Sequence, residues 1–320
     1  MSDTNANDPT DARRDQEPGG LERPEVEHRP RWRDTLSVLL ANRAAAVGLV
    51  VLFVMVLTAV LADQLIRYPI NAQDLTVRFN APSADHWFGT DEFGRDVYSR
   101  VVMGARVSMQ VAAVSVSISL VAGTLIGLIA GYRGGWLDTV AMRTVDVAFA
   151  FPAVLLAIAL VAVFGPSLRN TMIAIGIVFT PIFARVVRGS VLSVREELYI
   201  RAVRSIGASE LRIVLRHVLP NVAAPVIVQT SLSLAFAILL EAALSFVGVG
   251  VQRPTPAWGL MLTDAQRFMA QGWWLSVFPG LAIFVTVMAF NLVGDGLRDA
   301  LDPRQRTLIE ARGTGAQQGA

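Results

Sequence analysis

The chain has 320 residues, 53% hydrophobic and 17% charged, with a formal net charge of +2 and a mean hydropathy of +0.49. Soluble domains carry about 25% charged residues, so the composition argues against a water-soluble enzyme and for a polytopic helical membrane protein. There is no cysteine, which excludes disulfides, thiolate metal sites and cysteine nucleophiles, and no lysine, which excludes the phosphate-binding loop of an ATPase.

Residues 1–33 are polar, charged and rich in proline, too poor in apolar surface to fold alone, and read as a disordered tail. Residues 34–105 are expected to hold a first spanning helix and a segment on the far side of the membrane. The apolar run Ala44–Ala62 lacks a small-x-small cleavage site, so it is expected to remain as a span. About 20 apolar residues cross a bilayer at 1.5 Å each. On that measure five further spans follow: Arg106–Ala130, Thr139–Phe164, Thr171–Val187, Val222–Val247 and Trp274–Leu297. The expected fold is all-α with six transmembrane helices, a core at 106–300 and a tail at 301–320. Arginines crowd before the first span, between the fourth and fifth, and after the sixth. This bias puts both termini in the cytoplasm of a multi-pass protein of the cell membrane.

Taken in chain order, the segment His86–Met109 is punctuated by Gly89 and Gly94, with Thr90 beside them. Asp91 is expected to cap a helix running into the second span. Asp96 and Arg100, four apart, are expected to pair weakly; Arg95 lies immediately before Asp96. In the second span Gly123, Gly127 and Gly131 recur every four residues, which favours close helix packing over a hinge. Asp138, Arg143 and Asp146 read as an internal ion-pair group, the two acids sharing one helix face.

The stretch Tyr199–Asn221 reads as two short helices with a break. Gly207 suits the left-handed position that closes the first. Ser209 is expected to cap the second, with Glu210 in its first turn. Leu219 and Pro220 end the stretch. By composition alone, a basic loop touching lipid phosphates is the favoured reading. Glu241 lies inside the fifth span, where an acid faces either a translocation path or a partner that satisfies it. His28, His86 and His217 fall on separate segments and make no metal constellation, so neither metal nor cofactor is expected.

The spacing of Ala202, Gly207, Leu219 and Pro220 resembles the cytoplasmic EAA loop of binding-protein-dependent ABC importer permeases. Arg201 stands where that loop has its acid and Val203 where it has its second alanine. The patterns Gly89-Thr90-Asp91, Gly94-Arg95-Asp96 and Gly104-Ala105-Arg106, with the stretches Leu244–Trp258 and Asn291–Arg304, resemble the C-type permease subunit of dipeptide and oligopeptide importers. The resemblance runs from about Arg33 to Arg306. It implies a type I importer fold and uptake of peptides. The implied partners are a homologous B-type permease, two ABC ATPase subunits that receive the cytoplasmic loop, and a solute-binding protein meeting the outer segment. Lipid is the remaining partner and nucleic acid is not one. A membrane-embedded enzyme would need a convergent nucleophile or metal set, and an ion-coupled carrier would need inverted repeats.

Overall fold

The computed structural model describes residues 32–301; the tails expected on either side lie outside the described residues except at their inner margins. Among the described residues the chain is helical, with one isolated bridge between Thr90 and Asp96 and no sheet.

Helix α1 (Trp32–Ala41) turns at Asn42 into α2 (Arg43–Val60). The Asn42 side chain caps α2 by accepting from the Ala44 and Ala45 amides at 3.0 and 3.3 Å. After the short α3 (Ala62–Leu65) and a loop with a 3₁₀ turn at Leu75–Val77 comes α4 (Val97–Arg133). With 37 residues α4 is about 55 Å long, well beyond the ~30 Å hydrocarbon core. It begins nine residues before the expected Arg106.

The expected single span Thr139–Phe164 is corrected. The chain forms α5 (Gly135–Phe149) and α6 (Ala153–Phe164), which meet at 95°. Pro152 has no N–H to continue α5, and its ring disfavours helical geometry at Phe151. The remaining spans are α7 (Leu168–Arg195), α10 (Leu219–Val247) and α12 (Trp274–Leu301). Between α7 and α10 lie α8 (Leu198–Ser205), α9 (Glu210–Ile213) and a π-helical turn, Val214–Val218. Between α10 and α12 lies α11 (Trp258–Arg267), too short to cross. The membrane passages are thus five long apolar helices plus one bent pair.

Because α5 and α6 return the chain, α4 and α7 run in the same direction and pack along their length. Ser115 and Ser119 donate to the Met172 and Gly176 carbonyls at 2.9 and 2.8 Å, each 57 residues ahead. The register continues where the side chains vanish. A Cβ on Gly123 would lie 2.7 Å from the Thr180 oxygen, one on Gly127 would overlap the Ala184 oxygen, and one on Gly131 would lie 3.1 Å from the Arg188 oxygen. The four-residue glycine repeat is therefore half of a small-residue seam that lets two backbones touch. On the other flank α12 packs on α10 and α2, and α2 leaves Val50, Phe53 and Val60 exposed, as a helix facing acyl chains does.

Candidate functional site

The stretch between α7 and α10 folds as a rigid elbow at one end of the bundle. Gly207 has φ +83°, the left-handed conformation its position required. Its amide bonds the Arg204 carbonyl at 3.0 Å and the next amide, of Ala208, bonds Val203 at 3.3 Å. That pair of bonds is a Schellman closure of α8. Beneath it Val187, Val191, Ile200, Ile213, Val218 and Val222 form a buried apolar cluster joining the elbow to α7 and α10.

Three features depart from the sequence reading. Ser209 stands at the cap position of α9 in extended geometry, but its hydroxyl makes no capping bond. The turn instead closes through its carbonyl, which accepts from the Ile213 amide at 3.0 Å. Glu210 does more than face a helix dipole: its carboxylate accepts from the Tyr132 hydroxyl at the end of α4 and lies 3.4 Å from Arg204. Finally, Leu219 reaches back five residues to the Val214 carbonyl. Pro220 has no N–H to give, and the helix widens there into a π turn. Arg201 is exposed and donates to Glu196 at 2.9 Å. That guanidinium holds the Glu196 carboxyl below the usual range. Ala202 lies within α8, where its carbonyl accepts from the Ile206 amide at 3.2 Å.

The elbow leaves large apolar side chains in the open. Leu198 is 79% exposed, Ile206 83%, Leu211 68% and Leu215 54%.

Near this end α5 is pinned to α7. Arg188 grips Asp138 with two bonds of 2.7 Å and Arg185 bonds Asp146 at 2.8 Å. The two acids do share a face, but their partners are on α7; Arg143 joins neither pair.

At the opposite end the residues around Gly89 make a closed cap. Asp91 does not cap a helix; it folds back on its own loop, accepting from the Phe93 and Arg95 amides at 2.9 Å each and from Arg95 Nε at 2.6 Å. The cap of α4 is Asp96, which accepts from the Ser99 amide at 2.8 Å and hydroxyl at 2.7 Å, with His86 Nδ1 at 2.9 Å. The expected Asp96–Arg100 pair is absent, because Arg100 turns to Asp91 at 3.8 Å and to the Ile70 carbonyl at 3.2 Å. Gly94, at φ +71°, touches the Asp74 backbone so closely that a Cβ would overlap its carbonyl. Gly89, at φ +73°, leaves room for Trp274, whose indole donates to the Thr90 carbonyl at 3.2 Å. Burial, and then the neighbouring Asp91, raise the Glu92 carboxyl above its ordinary range. Thr90, Asp91, Arg95 and Asp96 are all buried. They shape this end from within instead of presenting themselves to a partner.

Glu241 is fully buried between α10 and α4. It accepts from Ser245 at 2.7 Å and from Ser108 at 3.3 Å. Tyr132, Tyr199, Asn221, Ser108 and Arg188 were not singled out from sequence. Their side-chain partners lie 22 to 133 residues away, and no local spacing signals them.

The family described as "Binding-protein-dependent transport system inner membrane component" matches residues 123–307. That described as "N-terminal TM domain of oligopeptide transport permease C" matches residues 30–82. The dipeptide transport system permease protein DppC of Alkalihalophilus pseudofirmus is 48% identical over 276 residues, covering 86% of this chain and 91% of the relative. The glutathione transport system permease protein GsiD of Pectobacterium atrosepticum is 43% identical, covering 86% and 92%. The probable D,D-dipeptide transport system permease protein DdpC of Escherichia coli is 40% identical, covering 88% and 95%. Among solved structures, an inward-facing MetNI methionine ABC transporter chain aligns with a TM-score of 0.54 at 18% identity, over 63% of this chain and 96% of that one. It supports the type I importer fold.

Proposed function

Since this chain belongs to the family of binding-protein-dependent transport system inner membrane components, we propose that it forms half of the path by which short peptides enter the cell. It is a membrane-spanning permease subunit of an ABC importer and not itself the ATPase. The peptide reading is supported by relatives named for dipeptides and glutathione, a tripeptide.

The other half of the path is a homologous B-type permease. Two ATPase subunits sit beneath the elbow and a solute-binding protein delivers substrate to the capped end. The arginine bias puts the elbow and both termini in the cytoplasm. The observation that carries this reading is the elbow itself. Gly207, Glu210 and the Leu219–Pro220 turn hold a projection whose leucines and isoleucine are left exposed among the described residues. Closure of the ATPases on ATP moves the elbow, and the α4–α7 slab, packed backbone to backbone, tilts with it as one body. Alternating access then requires only that substrate bind the outward and inward states differently. Gly89, Thr90, Asp91, Gly94, Arg95 and Asp96 hold the outer surface that the binding protein meets. Glu241 braces α10 against α4 behind the path.

The test is uptake of a labelled dipeptide into proteoliposomes holding both permeases, the ATPases and the binding protein. ATP-dependent accumulation that persists when proton and sodium gradients are collapsed is expected. Accumulation driven by a gradient without ATP overturns the proposal.

A further inference from the structure

Three charged side chains stand together on an open face where α5 meets α7. Arg143 and Asp146 are three residues apart on α5, a spacing that makes them neighbours on the helix surface. Asp146 accepts from Arg185 of α7 at 2.8 Å. Arg143 is exposed, and the Asp146 and Arg185 side chains are 55% and 52% exposed. Their surroundings are apolar: Val147, Phe149 and Phe151 are exposed beside them, and the Arg185 guanidinium lies 4.0 Å from the centre of the Phe149 ring.

The neighbouring Asp138–Arg188 pair closes through two bonds, whereas Asp146 and Arg185 share one. A carboxylate accepts at about four lone-pair sites and a guanidinium carries five N–H donors, so both groups keep capacity for a ligand. Arg143 belongs to neither pair, which leaves the face with one cation in excess. Arg185 stands about 24 Å along α7 from Arg169 at its start, within the ~30 Å thickness of a hydrocarbon core. Charges at that depth turn away from acyl chains and toward a water-filled path.

We propose that this face holds the termini of a short peptide as it passes. Asp146 takes the N-terminal ammonium, Arg143 and Arg185 take the C-terminal carboxylate, and Phe149 and Phe151 receive the side chain between them. The site rests on the peptide-importer reading above and names where in this chain the substrate is held. Neighbours at this helical spacing have Cβ atoms about 5–6 Å apart. Two residues of extended chain span at most about 7 Å, so one dipeptide reaches both signs of charge. When the peptide leaves, Asp146 and Arg185 pair again and neither is left as a bare ion. Release is therefore as easy as capture, which a transport path requires.

The test uses the permease–ATPase complex in nanodiscs of zwitterionic lipid, without binding protein. Equilibrium dialysis measures labelled alanyl-phenylalanine, its C-terminal amide and its N-acetyl derivative. The native complex is expected to hold the free dipeptide about tenfold more tightly than either blocked form, the effect of one charge-assisted bond. Arg143→Gln breaks no ion pair of the chain, and it is expected to bind the dipeptide as weakly as the amide. Arg143→Lys is expected to keep most of the preference, and Asp146→Asn to lose the preference over the N-acetyl form. Thr144→Cys, exposed on the same helix of this cysteine-free chain, is expected to react with a water-soluble methanethiosulfonate and to be protected by the dipeptide. Equal or absent binding of the three peptides, native preference in Arg143→Gln, or a Thr144→Cys that the reagent never reaches overturns the site. ATP-dependent dipeptide uptake by the full complex with its binding protein, read in parallel, separates the two failures. Uptake that persists without any such preference leaves the transport reading standing and removes only the site; no uptake removes both.

Discussion

The Asn221 side-chain amide donates to the Tyr199 hydroxyl at 2.7 Å and to the His217 carbonyl at 2.6 Å. Tyr199 opens the elbow and Asn221 closes it, one residue after the proline that follows the π turn. A single side chain thus ties the two ends of the elbow together and bonds a carbonyl within that turn.

Asn221→Ala removes both bonds, each contributing about 1 kcal/mol. The elbow is then expected to open more often, unfolding the backbone around the exposed Arg201 and Arg204 so that trypsin can cut it. Faster cleavage there at unchanged membrane abundance is the expected result. A native cleavage rate means the tie is not needed.

At Gly207 nothing lies within 4 Å of an added Cβ, so a substitution there meets backbone strain and no clash. Gly207→Val is expected to cost about 1–2 kcal/mol and to weaken ATPase retention and uptake. Gly207→Asn, which tolerates left-handed geometry, is expected to keep most of both. Equal loss in the two variants would contradict the conformational argument.

The seam between α4 and α7 makes an opposite prediction for two glycines. Gly127→Leu forces a side chain onto the Ala184 backbone and is expected to reduce folded protein in the membrane. Gly189 has open space around it, and Gly189→Ala is expected to be neutral or to stabilise by about 0.5–1 kcal/mol through helix propensity. Detergent melting temperatures of the two variants check this. Matching shifts would deny the seam.

Asp138 and Arg188 hold α5 against α7 through a two-bond contact. Asp138→Arg and Arg188→Asp are each expected to lower transport. The double exchange is expected to recover part of it, since the pair re-forms with its ends reversed. No recovery would show that the contact is not what matters.

Cysteines introduced at Asp74 and Ser209 lie at opposite ends of the bundle. An impermeant maleimide is expected to label Asp74→Cys in intact cells and Ser209→Cys only after lysis. Labelling of both in intact cells would refute the six-passage topology.

The six passages were legible in the sequence because a bilayer imposes a length of apolar chain, and composition reports it directly. Gly207 was legible because the left-handed position that ends a helix favours glycine, a local requirement with a local signature. The break inside the third passage was not. Apolar content runs through Phe151 and Pro152 without a pause, and a proline inside a membrane helix is often tolerated, so only the packing of α5 and α6 decided that the chain breaks there.

The charged residues divide the same way. That Asp138 and Asp146 share a face follows from helical periodicity, and that Glu241 is costly in a membrane follows from its charge. That the two acids meet Arg188 and Arg185, that Glu241 meets Ser108, and that Asp96 and not Asp91 caps α4 were decided by tertiary structure. A sequence specifies how far apart residues stand along the chain. Which donor reaches a buried acid depends on how the helices register against one another, and here the α4–α7 seam does that by letting two backbones touch.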